Sequence, residues 1–195
     1  MYLFVDTETG GLMPKHSLLT VSCIVVDKDF HIIPVDTYNP GLYLQIKHEE
    51  YALTAGALSV NKIDLVAHNA SGVTLADAKY MLTKYLQRAC VITGKKRFVP
   101  AGHNVAFDTQ FLRAHLLDDR EWDQYFTYPF FDTAVIARFL NAVGQHDTGY
   151  SLTKLRDRFV PHASAGDMHN AEVDNLVAIE LAKKFVDMWP SQIRF

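Results

Sequence analysis

Tyr2-Leu3-Phe4-Val5-Asp6-Thr7-Glu8-Thr9-Gly10-Gly11-Leu12 opens the chain with an apolar run that ends in two acids and a pair of glycines. The run Tyr2 to Asp6 predicts a strand. Side chains alternate across a strand, so Asp6 and Glu8, two apart, project from the same face. The Gly10-Gly11 turn lets another backbone approach closely. Two readings stand at this point. One is a surface strand end with two solvated acids, and Asp-x-Glu is too common on its own to exclude it. The other is a site that gathers carboxylates.

Outward from this stretch, Thr20 to Val26 predicts a second strand, and Lys28-Asp29 a turn into a third from His31 to Tyr38. Tight joins between consecutive strands favour an antiparallel meander. Residues 39–72 lack clear periodicity: Asn39-Pro40-Gly41 is a turn, Leu42 to Ile46 is a possible further strand, and the rest reads as short helices and loops. Thr74 and Asp77 resemble a capping box, followed by Ala78, Met81, Leu82, Tyr85 and Leu86 on one helical face. Phe98 to Gly102 then predicts a short buried strand, with a helix through Phe111, Leu112 and Leu116. A strand around Tyr128 to Phe131 leads into a helix from Thr133 to Val143. Ser151 can cap a helix bearing Leu152, Leu155 and Phe159, and a last helix runs from Ala171 to Met188 before Pro190. Strands first, then strands alternating with helices, predict an α/β fold with a mixed sheet and helices on its faces.

The 195 residues, 49% of them hydrophobic and 21% charged, suffice for one sizeable core, so a single domain over 1–195 is expected. No apolar run approaches the roughly 18 to 20 residues of a membrane-spanning helix, and Met1 to Val5 is too short for a secretory signal. The expectation is a cytoplasmic protein with no membrane partner. Cys23 and Cys90 have no spacing that suggests zinc or a disulfide framework. A net charge of −3 argues against nucleic-acid binding by bulk electrostatics, yet it suits carboxylates concentrated around cations.

Two more acids stand at informative places. Asp108 ends Gly102-His103-Asn104-Val105-Ala106-Phe107-Asp108, directly after a buried strand, where it could equally cap a helix. Asp174 follows His169 by five residues. Positions i and i+5 of one helix lie about 140° apart, so for both to act on one substrate His169 belongs on the preceding loop, with Asp174 in the first turn.

These blocks together resemble the DEDDh exonucleases, which include oligoribonuclease, ribonuclease T and the proofreading epsilon subunits of bacterial polymerases. Asp6-x-Glu8, His103-Asn104 through Phe107-Asp108, and His169 with Asp174 occur in the family's order and spacing. Ala57 to Ile63 looks like the family segment lining the substrate end. Phe131-Asp132-Thr133 resembles its strand-to-helix junction, and Tyr150-Ser151-Leu152 its next helix start. Gly11 and Asn61 depart from it, standing where many members have threonine and glycine. Asn170 occupies the position at which a sister group carries tyrosine.

The resemblance implies a ribonuclease-H-like fold, with a mixed five-stranded sheet of three antiparallel strands followed by parallel ones, flanked by helices. It also implies a metal-dependent 3′-to-5′ exonuclease. Four carboxylates with no thiolate suit Mg²⁺ or Mn²⁺. Two such ions about 3.5 to 4 Å apart can stabilise the attacking and leaving oxygens at phosphorus. By resemblance Asp6 bridges both ions, Glu8 and Asp174 hold the one that activates water, and Asp108 helps place the second. His169, with an ordinary pKa near 6.5, is the expected general base. Leu12 reads either as an apolar loop anchor or, by resemblance, as a wedge against the terminal base. Thr9, Asn61, His103 and Phe107 complete the expected substrate contacts, although His103 and Asn104 also suit satisfying backbone groups at the strand end, and Phe107 suits the core. Lys154 and Arg158, four apart on one helical face, are candidate phosphate contacts; Lys95-Lys96-Arg97 reads as solvated surface.

The expected partner is nucleic acid with a free 3′ end, single-stranded DNA before RNA. Alternatives are an exoribonuclease on short RNA or RNA ends, a polymerase-associated proofreading subunit, and a catalytically silent binding module. The last has no need of all five polar residues. The sequence does not decide between a polymerase partner, a homodimer and neither.

Overall fold

In a computed structural model, which describes residues 1–36, 39–163 and 169–188, the first strand β1 runs Tyr2–Thr9 and pairs antiparallel with β2, Leu18–Val26. β2 is buried along its whole length, which explains its continuous apolar sequence. β3, Leu42–Gln45, lies antiparallel on its far side. β4, Val99–Gly102, joins the other side of β1 in parallel, and β5, Phe131–Asp132, continues parallel to β4. The sheet order is β3-β2-β1-β4-β5, the expected mixed five-stranded arrangement.

The third strand falls at Leu42–Gln45 rather than from His31 to Tyr38. Asp27 Oδ1 accepts from the backbone N–H groups of Asp29 and His31, and Phe30 takes φ 61°. This side-chain-stabilised turn leaves a single antiparallel bridge, Val26 to Ile32, before Pro34, which lacks an N–H to extend it. Thr37 and Tyr38 lie outside the described residues. β5 likewise starts later than Tyr128, because Pro129 interrupts the approach.

Helices cover both faces. α1 (Ala55–Asn61) and α2 (Leu65–Ser71) fill the segment without periodicity. α3 (Leu75–Thr93) starts at the expected cap, with Thr74 Oγ1 accepting from Asp77 N–H. α4 (Val105–His115) and α5 (Asp119–Tyr125) follow β4. After β5 come α6 (Thr133–Ala142), α7 (Leu152–Phe159) and α8 (Ala171–Asp187).

Alternation along β1 divides the core. Leu3 and Val5 pack with Leu82 and Leu86 of α3 and Phe111 and Leu112 of α4. Phe4 faces the other way, with Ala178, Ile179 and Ala182 of α8. Each large side chain buried in this way contributes about 1.5–3 kcal/mol relative to exposure. α8 is thereby pressed against β1 and β2, with its N-terminus beside the end of β1.

Candidate active site

Asp6 and Glu8 continue the Phe4 face of β1, the face that α8 covers. Asp174 lies in the first turn of α8, and carboxylate oxygens of Asp6, Glu8 and Asp174 come within 4.8 Å of one another. His169 precedes the N-cap residue Asn170, so it is on the loop entering the helix, and its side chain is exposed. Its φ of 77° is uncommon for a non-glycine residue. That backbone turn lets the His169 N–H donate to Asp174 Oδ2 at 3.2 Å, while Asn170 Oδ1 accepts from Glu172 and Val173 N–H.

Asp108 approaches from the other face. Thr7, between the two acids, projects opposite to them, and its Oγ1 donates to Asp108 Oδ1 at 2.7 Å. Among the four acids, Asp108 is the one outside the 4.8 Å cluster, although its charge still reaches Asp6. Nor does Asp108 cap α4: the N-cap is Asn104, in the left-handed region at φ 61°.

Electrostatics at the centre are only partly compensated. Burial, then the charges of Asp108, Asp174 and Glu8, raise the Asp6 carboxyl well above its ordinary value. Burial, followed by Asp174 and Asp108, pushes Glu8 to about 8. Burial brings Asp108 to about 7 and Asp174 to about 6. Asp174 Oδ1 is buried without a hydrogen-bond partner among the described residues, a costly state for a carboxylate oxygen. Clustered hard oxygen donors, mutual repulsion and an orphaned oxygen fit a divalent cation, which would relieve all three.

Two cavities adjoin the cluster, and Glu8 and Asn61 line both. One, of about 420 Å³, is walled by Thr9, Gly11, Leu12, Val60 and Phe107. The other, of about 370 Å³, is polar, with Tyr43, Gln45, Lys62, His68 and His169. Leu12 is 79% exposed, so it is not a buried loop anchor. Asn61 is held in place: its Nδ2 donates to Thr9 O and its Oδ1 accepts from Ile63 N–H. Thr9 donates its hydroxyl to Gly11 O. At Gly11 a Cβ would meet the His16 ring at 2.7 Å, and at Gly10 it would meet Ala52 O at 2.3 Å. A threonine at position 11 would therefore clash with this loop.

His103 lines neither of these cavities. Its ring nitrogens lie 2.9 Å from Thr133 Oγ1 and 2.9 Å from Tyr150 O, tying β4 to the starts of α6 and α7, and burial lowers its pKa. Of the α7 cations, Arg156 rather than Lys154 or Arg158 has a charge that reaches Asp174 and lowers its pKa. The sequence offered no signal for Thr7 or for Tyr43 and Gln45, whose places depend on strand register.

A ribonuclease-H-like sheet with acids at the end of its first strand and at the start of its last helix is thus the class that fold and site define. No family model matches the chain. Its fold is that of solved structures of E. coli Exonuclease I. The zinc-ion-bound form of the complex of that protein with single-stranded DNA matches with TM-score 0.75 and 18% identity, over 97% of this chain and 41% of that one. A complex with a 5cy-dT13 oligonucleotide matches with TM-score 0.71 and 18% identity over the same shares. A structure said to suggest how processivity is achieved gives 0.72 at 17%, over 98% and 41%. This chain spans about two fifths of the length of those proteins. Among its described residues, no helix is long and apolar enough to cross a membrane.

Proposed function

We propose that this chain is a divalent-cation-dependent 3′-to-5′ exonuclease of the DEDDh type acting on single-stranded DNA. The observation that carries the reading is the convergence of Asp6, Glu8 and Asp174 within 4.8 Å, with Glu8 lining two cavities. The fold shared with Exonuclease I, whose structures contain single-stranded oligonucleotides, supports the substrate class.

Asp6, Glu8 and Asp174, with Asp108 in support, would hold two Mg²⁺ or Mn²⁺ ions. When bound, these stabilise the attacking and leaving oxygens of an in-line displacement at phosphorus. Leu12, Phe107 and Val60 offer an apolar wall to the terminal base. Asn61 and the backbone of residues 9–11 border the same cavity and orient the end of the strand. His169, on an exposed loop beside the cluster, accepts the proton of the attacking water as the new O–P bond forms and the bond to the preceding 3′-oxygen breaks; that oxygen takes its proton from solvent. With three or four carboxylates gathered at the centre, anionic substrate approaches only once their charge is offset, so cation binding and substrate binding should be coupled.

The test uses a 5′-labelled single strand. A ladder of shortening products in Mg²⁺ or Mn²⁺, none in excess chelator, and resistance of a 3′-blocked strand are expected. Rapid cutting of a closed circular strand would show an endonuclease instead, and RNA of matched sequence degraded faster than DNA would change the substrate class.

A further inference from the structure

Asn175 is fully buried on the sheet-facing side of α8, next to Asp174. Its Nδ2 donates twice, to Phe4 O of β1 at 3.1 Å and to Ser22 Oγ of β2 at 3.0 Å. Phe4 lies two residues before Asp6 on the same face, and Ser22 is the cross-strand partner of Asp6 in the β1–β2 register. One amide therefore ties the first turn of α8 to both strands at the level of the carboxylate cluster. The contacts of α8 further along, through Ala178, Ile179 and Ala182, are apolar and non-directional. They press the helix onto the sheet, but permit it to slide or rotate. The hydrogen bonds of Asn175 are directional and fix that freedom.

The arrangement has a cost. Asn175 Oδ1 is buried with no partner among the described residues, and a buried acceptor left unmet destabilises the fold. An apolar residue of the same shape would avoid that penalty, at the loss of the two bonds to Phe4 O and Ser22 Oγ. We infer that Asn175 is a positioning residue: it sets the distance from Asp174 to Asp6 and Glu8, and so the affinity of the cluster for divalent cations. This rests on the proposed function in its metal-binding part only.

Two variants separate positioning from folding. Asn175→Leu keeps the branch at Cγ and fills the space without offering a donor, and Ser22→Ala removes one of the two acceptors while keeping Asn175. Calorimetric titration with MnCl₂ reads affinity directly. Asn175→Leu should bind Mn²⁺ about tenfold more weakly, in the range found when groups supporting metal ligands are removed, and Ser22→Ala less so. Turnover of Asn175→Leu at saturating Mn²⁺ should return to within about threefold of the parent, because the ligands themselves remain. Its melting temperature in chelator should stay close to that of the parent, because relief of the unmet Oδ1 offsets the two lost bonds. A parent that binds Mn²⁺ with an Asn175→Leu variant of equal affinity would overturn the positioning role alone, as would a lowered melting temperature with an unmoved Mn²⁺ titration. A parent that binds no Mn²⁺ would overturn the metal-dependent reading and this inference with it.

Discussion

Among the described residues, two places bring three potential ligand atoms within 4.8 Å of one another: Asp6 with Glu8 and Asp174, and Asp27 with Asp29 and His31. By spacing they are equals, and by environment opposites. Asp27 is exposed enough to be solvated; desolvation is the largest single influence on its carboxyl and raises its pKa, but the hydrogen bonds that it accepts from the His31 and Asp29 N–H groups and from the His31 ring together hold it below the ordinary carboxylate value. Lys28 pairs with Asp29. Every charge there already has a partner, and the cluster is a turn. At the end of β1, burial raises every acid, Asp174 Oδ1 has no partner among the described residues, and the neighbours of Asp6 named above are acids themselves. Proximity of ligand atoms is therefore not what marks a site; charge left unsatisfied in a buried setting is.

The sharpest way to break this comparison is to exchange one acid in each cluster. Asp6→Asn should reduce exonuclease turnover to background while preserving a cooperative melting transition, because it removes a charge that the fold does not need. In chelator the variant should melt higher than the parent, since repulsion from Asp108, Asp174 and Glu8 is relieved. Asp27→Asn should leave turnover unchanged. Substantial turnover in Asp6→Asn, measured on a labelled strand, would place the chemistry elsewhere.

Next in size is His169→Ala, for which loss of a general base predicts a decrease of about 10² to 10⁴ in rate. Its Mn²⁺ affinity should stay close to that of the parent, because the contact between this residue and Asp174 is made by the backbone N–H, which alanine retains. Calorimetry beside turnover separates the cases: weakened Mn²⁺ binding with little change in rate would make His169 a ligand.

How much of this was legible in the sequence depends on which interaction fixed each element. The same-face projection of Asp6 and Glu8 follows from strand period alone, and the placement of His169 on a loop follows from helix period. The β-branched and aromatic residues of 31–38 suggest a third strand, whereas one Asp27 side chain turns the chain before it can pair. Asp118 and Glu121 form a reciprocal capping box at α5, a spacing that is a helix-start signal in the sequence itself. The Thr7 to Asp108 bond spans 101 positions, and no local pattern carries such information. The same holds for Arg156, whose approach to Asp174 depends on how α7 lies against α8.

A third prediction concerns pH, where the two clusters should differ in sign. Glu8, Asp108 and Asp174 titrate near 8, 7 and 6 in the folded chain, above their ordinary values of 4.5, 3.8 and 3.8. The unfolded chain thus releases these protons first. Their contribution to stability is fully present below about pH 4 and is lost as pH rises through 6 to 8. Asp27, held low, contributes in the opposite sense: its part is present above its unfolded value and is lost as pH falls through the folded one. In chelator the melting temperature should decline by several degrees between pH 5 and 8.5, and Mn²⁺ should restore most of it at the upper end. A flat profile in chelator would mean that the acids are neutralised from within the chain.

The smallest expected effect belongs to the turn. Asp27→Ala removes the oxygen that accepts from Asp29 and His31 N–H. Because these groups are solvent-exposed, water replaces the lost acceptor and the cost should be about 0.5–1 kcal/mol, near the low end for loss of a cap. The turn also delivers Phe30, at φ 61°, into the aromatic cluster, where its ring lies 5.1 Å from that of Tyr2 and 5.0 Å from that of Phe131. Part of the loss should therefore be shared with that cluster, and a double mutant with Phe30→Leu should cost less than the two changes added. The increase in melting temperature on adding Mn²⁺ should be the same in Asp27→Ala as in the parent. If Asp27→Ala instead abolished that increase while Asp174→Ala kept it, the cations would bind at the turn, and the three acids at the end of β1 would have to be explained without them.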